Sequence, residues 1–177
     1  VTPFETIENL KFGLPGQHNL TNALMAVAMA KKIEIPNDKI RTALASFKGV
    51  KRRFSFVIRE ENLVYIDDYA HHPDELKALI TGVRSIYPNE KLTLIFQPHL
   101  YSRTKDFADG FATSLSMADE VILLPIYPAR ELPIEGVNSE MILDKMKLDK
   151  KQVLGKDDML QYIETNKPKL VVMAGAG

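Results

Sequence analysis

The sequence predicts an α/β fold: a Rossmann-like, mostly parallel sheet of about six strands with helices on both faces. Two observations carry this. After residue 50, two strand-like segments are followed by helix and strand patterns alternating four times. The segments at 91–96, 121–124 and 170–173 are nearly continuous apolar runs, as expected for parallel strands buried on both faces. A small helical fragment precedes them.

The composition narrows the class. Hydrophobic residues make up 45% of the 177 and charged residues 26%, ordinary values for a globular domain. Lys+Arg and Asp+Glu are equal at 23 each, so charge gives no reason to expect nucleic acid or a membrane surface as partner. With no cysteine there is no disulfide framework and no thiolate chemistry, which fits a reducing cytosol. No apolar run approaches the ~20 residues of a membrane helix. Val1 in place of a Met suggests a piece of a longer chain.

Taken in order, residues 1–18 read as a strand or two and a loop, with a turn at Pro15-Gly16. A helix rich in Ala and Met covers 23–30. It has two apolar faces, so it should pack against more than this fragment supplies. Asn19 and Asn22 lie one turn apart at its start. They read either as a cap and a surface amide or as two amides aimed at a ligand. Asn37-Asp38 caps a short amphipathic helix carrying Ile40, Ala43, Leu44 and Phe47. Lys48-Gly49-Val50 reads as a hinge, dividing the chain into 1–48 and 49–177.

Lys51-Arg52-Arg53-Phe54 opens a strand at 54–58. Alternation would put Arg52 and Arg53 on opposite faces, leaving one free to meet an anion. A turn at 59–62 leads to a strand at 63–66, which delivers Asp67-Asp68-Tyr69-Ala70-His71-His72-Pro73. Proline is tolerated at the first position of a helix, and Leu76, Leu79, Ile80, Val83 and Ile86 then keep helical spacing. Two carboxylates, a phenol and two imidazoles thus sit where a strand's C-terminal end meets a helix. Open α/β sheets bind ligands at that edge. A polar capped turn is the plain alternative. A metal site from Asp68, His71 and His72 is weakly indicated, because adjacent histidines in one turn rarely converge on one ion.

The strand at 91–96 ends in a second polar turn, Gln97-Pro98-His99-Leu100-Tyr101-Ser102-Arg103-Thr104, before a helix carrying Phe107, Phe111 and Leu115. If the two strands are parallel, His71, His72, His99 and Arg103 share one edge. The strand at 121–124 ends in a third polar loop, 125–131, which includes Arg130. A helix around Ile142, Leu143 and Met146, a strand at 152–154, a helix from Asp157 and a strand at 170–173 complete the pattern. The chain closes on Ala174-Gly175-Ala176-Gly177, a Gly-rich, ligand-approaching type of loop. There is no Gly-x-Ser-x-Gly nucleophile turn and no Gly-x-x-x-x-Gly-Lys-Ser/Thr phosphate loop.

Four motifs occur in the order found in the Mur ligases: Gly16-Gln17-His18-Asn19-x-x-Asn22-Ala23, Gly49-Val50-Lys51-Arg52-Arg53-Phe54, the Asp67–Pro73 run, and Phe96-Gln97-Pro98-His99-x-Tyr101-x-Arg103-Thr104. The chain resembles that family over essentially its whole length, and most of all the members that add L-alanine to UDP-N-acetylmuramate in peptidoglycan synthesis. The resemblance implies a cytoplasmic, ATP-dependent amide-forming ligase working through an acyl phosphate. It implies ATP and Mg2+ as cofactors, with the phosphate loop and magnesium ligands outside this chain. Residues 1–48 resemble the end of the central ATP-binding domain and 49–177 the C-terminal domain.

Position by position, the resemblance places His18, Asn19 and Asn22 near the nucleotide base and Asp68 at its ribose. It puts the catalytic Arg53 at the ATP phosphates. Tyr69, His71, His99 and Arg103 match the amino-acid pocket. Many relatives carry Arg where this chain has Leu100, so either Arg103 alone or Arg103 with Arg130 holds the amino-acid carboxylate. The rival readings are a ligase that recycles murein tripeptide, a glutamate-adding folate-type ligase, and a non-catalytic nucleotide- or amino-acid-binding module. The chain alone is expected to be inactive.

Overall fold

The computed structural model describes residues 6–177, apart from the side chain of His18. The chain divides into two compact units, Val1–Val50 and Lys51–Gly177.

In the first unit no strand forms between residues 6 and 16, against expectation; residues 1–5 lie outside the described ones. A strand needs a partner, and the described part of this unit offers only helices. Helix α1 (Gln17–Lys32) starts earlier than its Ala-rich stretch, directly after Gly16. Gly16 has φ 95°, and its carbonyl accepts from the N–H groups of Asn19 and Leu20. Helix α2 (Asn37–Ser46) buries Ile40. On α1, Val27 is buried while Leu24, Met25 and Met29 are exposed, the surplus apolar surface its pattern foretold.

The second unit is a six-stranded sheet. Strand β1 (Ser55–Arg59) pairs antiparallel with β2 (Val64–Asp68). Then follow α3 (Pro73–Ile86), β3 (Leu92–Gln97), α4 (Tyr101–Asp106), α5 (Ala108–Leu115) and β4 (Glu120–Leu123). The chain ends with α6 (Glu140–Leu143), β5 (Lys151–Val153), α7 (Lys156–Asn166) and β6 (Leu170–Gly175). The spatial order is β1-β2-β6-β3-β4-β5, and every pairing but the first is parallel. The last strand in sequence is therefore central, and the C-terminal ends of β2, β6, β3, β4 and β5 form one edge.

Alternation within the strands splits the core in two. Ile66, Leu94, Phe96, Val121, Leu123 and Val172 point to one face, which α3, α5 and α6 cover through Leu76, Ile80, Phe111 and Ile142. Ile95, Ile122 and Val171 point to the other, where Met159, Tyr162 and Ile163 of α7 pack. Helix α5 is also pinned to the start of α3. Ser114 Oγ donates to the Pro73 carbonyl at 2.9 Å, and a Cβ on Gly110 would lie 2.9 Å from Pro73 Cγ. That anchor fixes the point at which the His71-His72 turn enters its helix.

Gly175 closes β6 at φ 143°, and a Cβ there would sit 2.8 Å from the Gln97 carbonyl oxygen. Gly175→Ala is therefore expected to destabilise the chain by about 1–3 kcal/mol through backbone strain and displacement of β3. A urea titration checks this; an unchanged midpoint would show that the β6 end yields freely.

Candidate functional site

Three turns, those following β2, β3 and β4, meet at the C-terminal edge of the sheet. The first is built around Asp68, a buried carboxylate at the end of β2. Its Oδ2 accepts from the Phe54 N–H at 2.6 Å and its Oδ1 from the Ala70 N–H at 2.7 Å. Burial raises its pKa above the ordinary aspartate value, outweighing these two donors and nearby Arg53. Asp68 thereby ties the segment before β1 to the turn after β2.

That segment differs from expectation. β1 starts at Ser55, so Arg52 and Arg53 lie in a turn rather than on alternate faces of a strand. Arg52 and Phe54 take positive φ values of 58° and 51°. Arg52 is occupied: Nη2 donates to the carbonyls of Gly175 (2.7 Å) and Gly177 (3.2 Å), and Nε lies 3.3 Å from Asp67. The Arg53 side chain is 51% exposed, with a 3.7 Å ion pair to Glu75. Both guanidinium carbons lie within cation–π range of the Tyr69 ring, at 5.2 and 5.5 Å. Arg53 is thus the more available of the two cations.

His71 and His72 diverge. His71 Nδ1 lies 2.8 Å from the Tyr69 carbonyl oxygen and 3.4 Å from Glu75 Oε2. Both neighbours can only accept, so Nδ1 carries the proton and a neutral ring keeps its lone pair on Nε2. His72 instead caps α3 and packs edge-on against Phe107. Among the described residues, no group of three or more His, Asp or Glu is placed to hold a metal ion.

The second turn brings His99 to 6.3 Å from His71, ring centre to ring centre. Arg103, one helical turn on, has Nη1 3.4 Å from His99 Nδ1. A guanidinium only donates, so that nitrogen is the acceptor and a neutral His99 presents Nε2–H. The third turn backs this one. Tyr127 N donates to the Pro98 carbonyl, Leu100 N to the Tyr127 carbonyl, and the Tyr127 ring stacks on His99 at 5.7 Å. Glu131 accepts from both the N–H and the hydroxyl of Ser102, which holds its carboxyl below the usual range. Leu100 takes φ 71° as the cap of α4, and Arg130 is exposed on the loop.

Burial, then Arg103 and His71, push the His99 pKa below the ordinary histidine value. Folding therefore disfavours its proton. The stability that His99 contributes is present above its unfolded pKa of about 6.5 and is lost as pH falls from there through its folded value. An NMR titration of the ring is expected to give a midpoint below about 6.5; a midpoint above it would contradict the packing described.

The structure thus gathers Arg53, Asp68, Tyr69, His71, His99 and Arg103 on one rim. Asn19 and Asn22 belong to the first unit. Asn19 Nδ2 donates to the Pro15 carbonyl at 2.6 Å, and Asn22 is exposed. The His18 side chain lies outside the described residues. Sequence reasoning did not single out Glu75 or Tyr127. Glu75 stands four residues after His71 on a helix start, a spacing that was the one available signal.

The sequence model of the Mur ligase, glutamate ligase domain matches residues 52–177. The chain belongs to the Mur ligase family. A UDP-N-acetylmuramate–L-alanine ligase of Flavobacterium psychrophilum is 58% identical over 176 residues, covering 99% of this chain and 39% of that protein. Among solved Mur ligase structures, the UDP-N-acetylmuramate–alanine ligase of Thermotoga maritima matches with a TM-score of 0.75 at 31% identity, covering 95% of this chain and 36% of that one. A murein peptide ligase of Psychrobacter arcticus matches with a TM-score of 0.67 at 24% identity, over 95% of this chain and 36% of its own, which is a likeness of fold. The chain spans about two-fifths of the length of the Mur ligases it matches.

Proposed function

We propose that the chain is part of an ATP-dependent ligase that joins L-alanine to UDP-N-acetylmuramate in peptidoglycan synthesis. Residues 1–48 are read as the end of its central ATP-binding domain and 49–177 as its C-terminal domain. The observation that carries this reading is the rim on which His71, His99 and Arg103 meet, beside an exposed Arg53. Arg103 and the His99 N–H suit a carboxylate, and the His71 Nε2 lone pair suits an ammonium. Together they fit a small zwitterion. With one guanidinium at the second turn and Leu100 beside it, Arg103 holds the carboxylate, assisted by His99 rather than by a second arginine.

ATP would transfer its γ-phosphoryl group to the muramate carboxylate and leave as ADP. The alanine ammonium gives up a proton, and the free amine attacks the acyl phosphate; the carbon–oxygen bond to phosphate breaks, phosphate leaves, and the second amine proton passes to solvent as the amide forms. Arg53 offsets charge on the transferring phosphoryl group. Asp68 is assigned to the ribose, and His18, Asn19 and Asn22 are assigned to the base. Magnesium is bound by residues elsewhere in the full-length parent. The cytoplasmic location of the full-length parent rests on the family reading; no helix among the described residues is long and apolar enough to cross a membrane.

The rival within the family is a ligase that takes murein tripeptide. An acceptor panel separates the two. The full-length parent is given ATP, UDP-N-acetylmuramate and alanine, serine, glycine or tripeptide, and phosphate release is measured. Release with alanine is expected; preference for tripeptide, or no release with any acceptor, would refute the proposal. The 177-residue chain by itself is expected to give no rate.

A further inference from the structure

Among the described residues, Glu75 is the one carboxylate paired with both His71 and Arg53. Its Oε2 accepts from the His71 backbone N–H at 2.9 Å and lies 3.4 Å from that residue's Nδ1. Its Oε1 lies 3.7 Å from Arg53 Nη1. Helix α3 carries it on the first turn, where a negative charge is favoured. Pro73, whose carbonyl accepts from Ser114, fixes that turn against α5. The carboxylate is therefore rigidly based, whereas His71 sits in the turn outside the helix and Arg53 is half exposed.

We propose that Glu75 is a positioning residue that couples the amino-acid half of the site to the phosphate half. One oxygen fixes the His71 backbone, and with it the direction of the Nε2 lone pair; the other restrains Arg53 near the same point. This rests on the functional reading above and adds to it a residue that touches neither substrate. Burial alone would raise the Glu75 pKa, but the His71 N–H, the His71 ring and Arg53 outweigh it and keep the carboxyl below the usual range. Glu75 thus stays ionised under ordinary conditions.

The two oxygens can be separated by substitution. In the full-length parent, Glu75→Ala is expected to raise the KM for the amino acid about tenfold and to lower kcat about tenfold, the size of a lost charge-assisted contact in each half. Glu75→Gln keeps an acceptor for the His71 N–H but no charge for Arg53. It should restore the amino-acid KM to within about twofold of wild type while kcat stays low. Asp74→Asn, which removes a neighbouring exposed charge from the same helix turn, should alter neither value by more than about twofold.

An unchanged amino-acid KM in Glu75→Ala would overturn the proposal. So would a Gln variant no better than the Ala variant in KM, or equal to wild type in kcat. A second measurement does not depend on ligase activity. In the 177-residue chain labelled with 15N-histidine, Glu75→Ala should shift the His71 amide and ring resonances, and Asp74→Asn should leave them in place. Static His71 resonances would refute the hold even if the parent proved not to be an alanine ligase. A parent with no alanine activity, but with His71 shifting as expected, would count against the functional reading and for the Glu75–His71 contact.

Discussion

A full-length parent carrying Arg53→Ala is expected to lose about a thousandfold in kcat, with its melting temperature little changed. The Arg53 side chain is 51% exposed and its ion pair to Glu75 is loose at 3.7 Å, so removing it leaves no buried charge behind. On the proposed reading, the variant loses a cation whose contacts strengthen only as negative charge develops on a transferring phosphoryl group. Arg52 behaves differently because two backbone carbonyls and Asp67 already hold it, tying the Gly-rich end of β6 to the turn before β1. Steady-state rates at saturating ATP and alanine make the check. A fall in kcat smaller than about tenfold would move the phosphate role to another residue.

Asp68→Ala should give the largest loss of stability, about 3 kcal/mol. The N–H groups of Phe54 and Ala70 are buried with this carboxylate as their acceptor. Alanine would leave both without a partner, at about 1–3 kcal/mol each, partly offset by shifts of the turn. Asp68→Asn offers one carbonyl oxygen where the carboxylate offers two, so roughly half the loss is expected. Urea unfolding of the chain measures both. An alanine variant within about 0.5 kcal/mol of wild type would mean that the turns before β1 and after β2 are not held by this group.

Most of the sheet was legible because its strands are the kind that sequence reveals best. Residues 92–96, 121–124 and 170–174 are apolar on both faces apart from Thr93, and all of them are buried except Met173. The C-terminal edge followed from parallel pairing alone, which is why Asp68, His71, His99 and Arg103 could be assigned to one rim before any distance was known. Chain order could not reveal that β6 inserts between β2 and β3, since neither neighbour is adjacent to it in sequence.

The misreadings have local causes. Residues 6–16 have strand-like composition but no strand to pair with. The sequence pattern puts Arg52 and Arg53 at the start of a strand, yet positive φ at Arg52 and Phe54 breaks the alternation there. That conformation is imposed by Asp68, which binds Phe54 from fourteen residues away. The single helix expected after Arg103 is interrupted at Phe107, whose ring turns to pack on His72. Tyr127 and Glu131 were hidden for the same reason. Their importance lies in what they touch across the fold, His99 and Ser102, and no spacing within the chain encodes it.

The most direct test is a crystal structure of the full-length parent with UDP-N-acetylmuramate, an unreactive ATP analogue and L-alanine. The alanine carboxylate is predicted to lie on Arg103 and His99, its ammonium to face His71 Nε2, and Arg53 to reach the γ-phosphate while Glu75 still flanks its guanidinium. An alanine bound away from this edge of the sheet, with Arg103 and His71 unengaged, would contradict the account.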